Sequence, residues 1–310
     1  MVLIIFLLSI LLLLCLFSFI RNLANENAAK IQEITEREID DTEQLPLIIS
    51  LTTSPSRLIP CLQNLERMLR DGCFPPQAEI HLNLPRTFGR TGESYPEISA
   101  PDPRIQIYRD SFDDEGPATK LLPTLDRVRQ KYYQGLIITI DDDIYYEKEV
   151  FELHLYFQKL YNYKVATCFR DLNDPLDITY HFDTYRPGLK ELLLPRAAAI
   201  KEMKAAPLPH HTTYFIEGFG SVGYPFGLMD PSYLRSYIKG YPKCRNSDDL
   251  LISMSLHDQK IPIVKMAVNE LYHIYNLIHV LDFGLGEDAL HVVQSHHEKY
   301  YTCAKEILKS

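Results

Sequence analysis

Apolar positions along the chain fall into two patterns separated by a polar stretch. The first is an unbroken run: Val2 to Ile20 carry no charge, and only Ser9 and Ser18 interrupt the aliphatic and aromatic side chains. As a helix this run spans roughly 28 Å at about 1.5 Å per residue, close to the hydrocarbon core of a bilayer. A cleaved signal peptide is the rival reading, but it asks for a basic start and a shorter apolar core, and no Lys or Arg precedes the run. The pattern therefore predicts an N-terminal transmembrane helix over residues 1–20. From 21 to 44 it dissolves into seven acids and three bases, with Ala28, Ile31 and Ile34 the only hint of a helical stripe. That composition suits an acidic stalk, a solvated spacer lifting the body off the membrane.

From Leu45 the second pattern begins. Strand-length apolar runs alternate with segments whose apolar residues recur every three or four positions, the signature of a mostly parallel open sheet flanked by helices on both faces. Strands are predicted over 46–51, 79–84, 104–108, 135–140, 164–169 and 261–266. Helices are predicted over 58–70, 119–132 and 147–161, with a fourth over 248–259 that Ser247 can cap. Residues 214–224 read as a strand interrupted by Gly218, Gly220 and Gly223, where glycine implies a bulge or the close approach of a ligand. Residues 170–211 are Pro-rich without clean periodicity and read as a mobile or substrate-facing insertion. The fold class is α/β, with residues 45–310 as one large domain.

Composition narrows the function. The chain has 310 residues with 32 Lys and Arg against 41 Asp and Glu, a formal net charge of −9, so nucleic acid is excluded as the principal partner. Six cysteines contain no C-x-x-C pair, which rules out a zinc ribbon or a dense disulfide framework and leaves one disulfide open. Arg21, Lys30 and Arg37 follow the apolar run, favouring a cytoplasmic body by the positive-inside rule, and no N-x-S/T sequon is present. A luminal body, as in Golgi enzymes held by an N-terminal anchor, remains the alternative.

The chemistry centres on Asp141, Asp142 and Asp143, which follow the apolar strand Ile137-Ile-Thr-Ile140 without a spacer. Ligands of open α/β sheets bind outside the carboxyl ends of the strands, so these acids project into the expected site. Adjacent carboxylates repel one another, and carboxylate oxygen suits magnesium or manganese. Magnesium takes one or two protein carboxylates and shares the rest of its shell with water and substrate phosphate, so a metal-diphosphate site fits better than an all-protein cage. A solvated acidic turn is the bland alternative.

Four segments carry a resemblance. They are Ile48-Ile-Ser-Leu-Thr-Thr-Ser-Pro-Ser-Arg57, Gly116-Pro-Ala-Thr-Lys-Leu-Leu-Pro123, Ile137-Ile-Thr-Ile-Asp-Asp-Asp-Ile-Tyr145, and Glu217-Gly-Phe-Gly-Ser-Val-Gly-Tyr224 followed by Asp248-Asp249. In content and order they resemble the nucleotide-sugar glycosyltransferases of the GT-A type, whose D-x-D motif follows a central hydrophobic strand. The resemblance implies that Asp143 ligates manganese (or magnesium) bridging a diphosphate, and that Asp141 faces the ribose or shares the metal. Asp142 completes the triplet as part of the nucleotide-sugar-binding set that the resemblance implies. It further implies that Thr52, Thr53 and Arg57 lie where the nucleotide is held, that Lys120 reaches the diphosphate, and that Gly218 and Gly220 let donor or acceptor approach the backbone. Asp249 is implied as the base that deprotonates an acceptor hydroxyl, with Asp248 capping the helix or binding acceptor. A C-terminal histidine completes the metal shell in many relatives, and His291 and His296 are the candidates here.

The expectation is thus a membrane-anchored, metal-dependent glycosyltransferase moving a sugar from a nucleoside-diphosphate sugar to a glycan, lipid-linked glycan or protein acceptor. A nucleotidyltransferase would use the same sheet logic but normally a Gly-rich phosphate loop after the first strand, and Thr52 to Arg57 contain no glycine. A catalytically inactive sugar- or nucleotide-binding scaffold of the same fold is the remaining alternative.

Overall fold

The computed structural model describes residues 45–109, 112–171, 211–213, 215–266, 277–282 and 296–307. The apolar run, the acidic stalk and most of the 170–211 segment lie outside them. Among the described residues no helix is long and apolar enough to cross a membrane.

The described residues form ten strands: β1 Leu47–Thr52, β2 Glu79–Leu84, β3 Ile105–Arg109, β4 Leu136–Thr139, β5 Ile144–Tyr146, β6 Ala166–Asp171, β7 His211–Thr213, β8 Ile216–Pro225, β9 Ile263–Lys265 and β10 Ile278–Val280. The same residues form six α-helices: α1 Leu58–Arg70, α2 Leu122–Lys131, α3 Lys148–Leu160, α4 Pro231–Gly240, α5 Asp248–Asp258 and α6 His296–Ile307. The main sheet runs β3-β2-β1-β4-β8-β6-β9-β7, while β5 and β10 form a separate antiparallel pair. Strands β3, β2, β1 and β4 are mutually parallel; β8 is antiparallel to both β4 and β6, and β7 to β9. The predicted mostly parallel sheet is therefore mixed on one side.

Continuous apolar runs form the central strands because both faces are covered. Alternation sends Ile48 and Ile137 to one face, where they join a core with Leu122, Leu125, Leu234, Leu251 and Leu256 of α2, α4 and α5. On the opposite face Phe74 and Tyr146 pack against Phe151 of α3, and Asn64 of α1 donates its amide to the Ile144 carbonyl at 2.9 Å. A register shift between Cys168 and Arg170 marks a bulge in β8, where Gly220 (φ 91°) and Ser221 (φ 90°) take left-handed backbone conformations. The glycine-interrupted run thus does contain the bulge that its sequence implies. Cys244 and Cys303 form a disulfide that ties α6 to the turn before α5. Ser247 takes the cap position of α5 but makes no capping side-chain hydrogen bond.

Candidate active site

Strand β1 continues to β2 on one side, while β4 lies next to β8 on the other, so the strand order reverses between β1 and β4. The crevice beyond the carboxyl ends at such a reversal is where open α/β sheets bind ligands. The Ile140 amide still pairs with the Ser50 carbonyl at 3.0 Å, which makes Asp141 the first residue beyond the ladder. The buried Tyr146 hydroxyl then accepts the Asp141 amide at 3.0 Å and fixes the turn into β5.

Two side-chain groups converge there. In the first, the Thr53 hydroxyl at the end of β1 donates to Asp142 Oδ2 at 2.5 Å. Arg57, closing the 3-10 turn Pro55–Arg57, places Nη2 3.0 Å from Asp142 Oδ1 and 2.5 Å from Asp143 Oδ2. Tyr95 holds this corner by donating its hydroxyl to the Thr53 carbonyl at 2.7 Å. Burial pushes the Asp142 carboxyl up to about 7 against the pull of Arg57, with Asp143 adding repulsion. Asp143 is raised as well, by burial and then by the charge of Asp141.

In the second group Lys120, at the end of the 3-10 turn Gly116–Lys120, sets Nζ 3.1 Å from Asp141 Oδ1 and 4.0 Å from Asp248 Oδ2. Burial opposes its charge, yet Asp141, Asp248 and Asp249 together hold its ammonium well above the usual lysine value. The Ser50 hydroxyl draws the turn onto β1 by donating to the Lys120 carbonyl at 2.5 Å. Asp249 lies on the other wall: a Cβ at Gly218 would run into its Oδ1, and Lys120 Nζ would sit 3.6 Å from that same Cβ. Only glycine at 218 leaves this space open.

The structure therefore brings together Thr53, Arg57, Lys120, Asp141, Asp142, Asp143, Gly218, Asp248 and Asp249. Thr52 turns away and donates its hydroxyl to the Asn83 carbonyl at 2.8 Å. Gly220 serves the β8 bulge, while Gly218 provides the close approach. His279 of β10 meets Glu147 at 3.0 Å. His291 and the side chain of His296 lie outside the described residues.

Sequence reasoning missed the brace behind this site. Arg170 Nε meets Glu217 Oε2 at 2.8 Å with both side chains buried, and Asp171 pairs with Lys265 and accepts the Thr213 hydroxyl at 3.0 Å. The signal was present, since Arg170-Asp171 ends β6 much as the acids end β4. The fully buried His154 of α3 spans Thr167 Oγ1 and Ser221 Oγ, each at 2.8 Å, and so grips the bulge.

Among the described residues no three His, Cys, Asp or Glu side chains converge as a ready metal cage. The crevice instead gathers five carboxylates, Asp141, Asp142, Asp143, Asp248 and Asp249, around two cations, Arg57 and Lys120. Carboxylate oxygens are the hard donors taken by a divalent ion whose remaining ligands come from phosphate and water, and burial raises the carboxyls of Asp142 and Asp143.

No family profile and no characterised protein matches the chain. Among solved structures, that of S. aureus TarS aligns with 71% of this chain and 35% of its own, at 14% identity and a TM-score of 0.38. The chain spans about a third of the length of that neighbour, and the likeness is too distant to reason from.

Proposed function

We propose that the chain is a membrane-anchored, metal-dependent glycosyltransferase that moves a sugar from a nucleoside-diphosphate sugar to a glycan, lipid-linked glycan or protein acceptor. One observation carries this reading: Lys120 draws Asp141, at the end of β4, and Asp248, at the start of α5, into one crevice beside the Gly218 backbone. A diphosphate needs cations and a divalent ion near its bridging oxygens, and an acceptor hydroxyl needs a base within hydrogen-bond reach.

Asp143 and Asp141 would hold manganese or magnesium, which supplies charge neutralisation for the departing nucleoside diphosphate. Lys120 and Arg57 offer cationic donors to phosphate oxygens, exchanging carboxylate partners for the diphosphate. Asp249 accepts the proton of an acceptor hydroxyl that approaches over Gly218, and Asp248, balanced by Lys120, orients that acceptor. The buried disulfide Cys244–Cys303 supports placing the body on the oxidising side of the membrane, where thiols are not kept reduced.

The test uses the full chain in detergent with a panel of UDP- and GDP-sugars, with and without manganese. Metal-dependent donor hydrolysis or transfer is expected, falling about 10²–10⁴-fold in Asp249→Asn for the transfer step. Donor binding without turnover on any acceptor would identify a scaffold, and absence of donor binding with metal present would refute the proposal.

A further inference from the structure

Lys120 ends the 3-10 turn Gly116–Lys120 and Asp248 opens α5, yet the two side chains meet at 4.0 Å. A knot of hydrogen bonds a few residues upstream of each draws their backbones together, and Asp114, in the connection between β3 and that turn, is its shared point. Asp114 Oδ1 accepts the Gly116 amide at 2.7 Å and the Thr119 hydroxyl at 3.2 Å, which closes the turn that ends in Lys120. Its Oδ2 accepts the Gly89 amide at 2.6 Å from the connection between β2 and β3. Its carbonyl accepts Arg245 Nη2 at 2.5 Å from the turn before α5. The Arg245 backbone lies against the same turn, since a Cβ at Gly116, where φ is 68°, would stand 3.1 Å from the Arg245 carbonyl.

Each segment tied by Asp114 delivers a group to the crevice. The 3-10 turn carries Lys120, and the chain after Arg245 carries Asp248 and Asp249. The β2–β3 connection carries Tyr95, whose hydroxyl holds the Thr53 carbonyl while the Thr53 side chain donates to Asp142. The Asp114 side chain is 10% exposed, so water competes little for its bonds. A carboxylate accepting from amides and a hydroxyl makes charge-assisted bonds, stronger than neutral ones.

We propose that Asp114 is a positioning residue for nucleoside diphosphate: its carboxylate sets where Lys120 Nζ stands and acts through that ammonium rather than by touching the nucleotide. The role rests on the diphosphate reading of the crevice. Fewer than two turns of 3-10 helix separate Gly116 from Lys120, so movement at the clamp reaches the ammonium with little loss.

A double-mutant cycle tests this, read by calorimetric titration of the full chain with UDP and with GDP in the presence of manganese. Asp114→Ala is expected to weaken binding about tenfold in the parent chain and by less than about twofold on a Lys120→Met background. Loss of a negative charge would by itself favour an anionic nucleotide, so the weakening reports displacement. Thr119→Val changes no charge and keeps the side-chain shape while removing one of the bonds to Asp114, and is expected to weaken binding about threefold, again only where Lys120 is present. It keeps the cycle readable should Asp114→Ala not fold. Equal weakening on both backgrounds, or none in a folded variant, would overturn the positioning role and leave the diphosphate reading standing. A parent chain that binds neither UDP nor GDP with manganese would overturn that reading and the role with it.

Discussion

The parallel half of the sheet, β3-β2-β1-β4, and the mixed half, β8-β6-β9-β7, both end in charged residues but balance them differently. In the mixed half two acids meet two bases, Arg170 with Glu217 and Lys265 with Asp171. Beyond β4, among the described residues, Asp141, Asp142, Asp143, Asp248 and Asp249 gather around Arg57 and Lys120. A matched pair holds strands together, whereas an excess of one sign builds a field that a cation relieves. Charge balance, more than the presence of charge, separates the brace from the site.

The largest test of that contrast lies in the brace. Glu217→Ala removes the carboxylate that meets the buried Arg170 Nε and is expected to cost about 3–5 kcal/mol in chemical denaturation. Replacing both partners with apolar residues, Arg170→Met with Glu217→Leu, should recover most of the loss. If the single substitution is neutral, the pair is no brace.

The mixed half is also the one backed by the disulfide, since α6 is tied to the turn that precedes α5. Cys303→Ser is expected to lower stability by about 2–4 kcal/mol, read as a shift of the denaturant midpoint. An unchanged midpoint would show that the link adds nothing to this side.

Among the described residues a buried histidine lies in each half, His81 on β2 and His154 on α3, and burial depresses both to about 3. A histidine whose folded value lies below its unfolded value of about 6.5 contributes fully above that pH and loses its contribution as pH falls. Stability should therefore decline between about pH 6.5 and 3, by up to about 1.4 kcal/mol per pH unit for each histidine. Comparing His154→Asn with the parent chain across that window should remove one histidine's share of the slope; an unaltered slope would show that His154 is not the titrating group.

The smallest effect has the opposite sign. Because burial and Asp141 raise the Asp143 carboxyl, Asp143→Asn at pH 7–8 is expected to stabilise the free protein slightly, read as a small rise of the denaturant midpoint, while removing metal-dependent donor binding. A loss of stability would place Asp143 among the structural pairs.

The two halves were also unequally legible. Leu47–Thr52, Glu79–Leu84 and Leu136–Thr139 stood out because strands buried on both faces read as unbroken apolar runs, and α1 followed its predicted bounds. Strands β5, β7 and β10 have three residues each, too few for any period to show. The reversed direction of β8 left no trace because side-chain pattern carries no strand polarity, although its glycines did mark the bulge. Helix α4 had a readable start that went unused: Asp230 caps it by accepting the Ser232 amide at 2.9 Å, and Pro231 opens the first turn. In the site the residue types were legible, but their grouping was not. Nothing in the order of residues showed that Lys120 would join Asp141 to Asp248, or that Thr52 would face Asn83 while its neighbour Thr53 faced Asp142. That separation follows from the alternation of β1, whose last side chains point to opposite faces.

The central claim is that the β4 crevice receives a nucleoside diphosphate through Lys120 and the acid cluster. Calorimetric titration of the full chain with UDP and GDP, with and without manganese, tests it directly when repeated on Lys120→Met. The account predicts binding of one nucleotide that strengthens with manganese and weakens at least tenfold in the variant, about 1.4 kcal/mol. Binding that is indifferent to both manganese and Lys120 would contradict it.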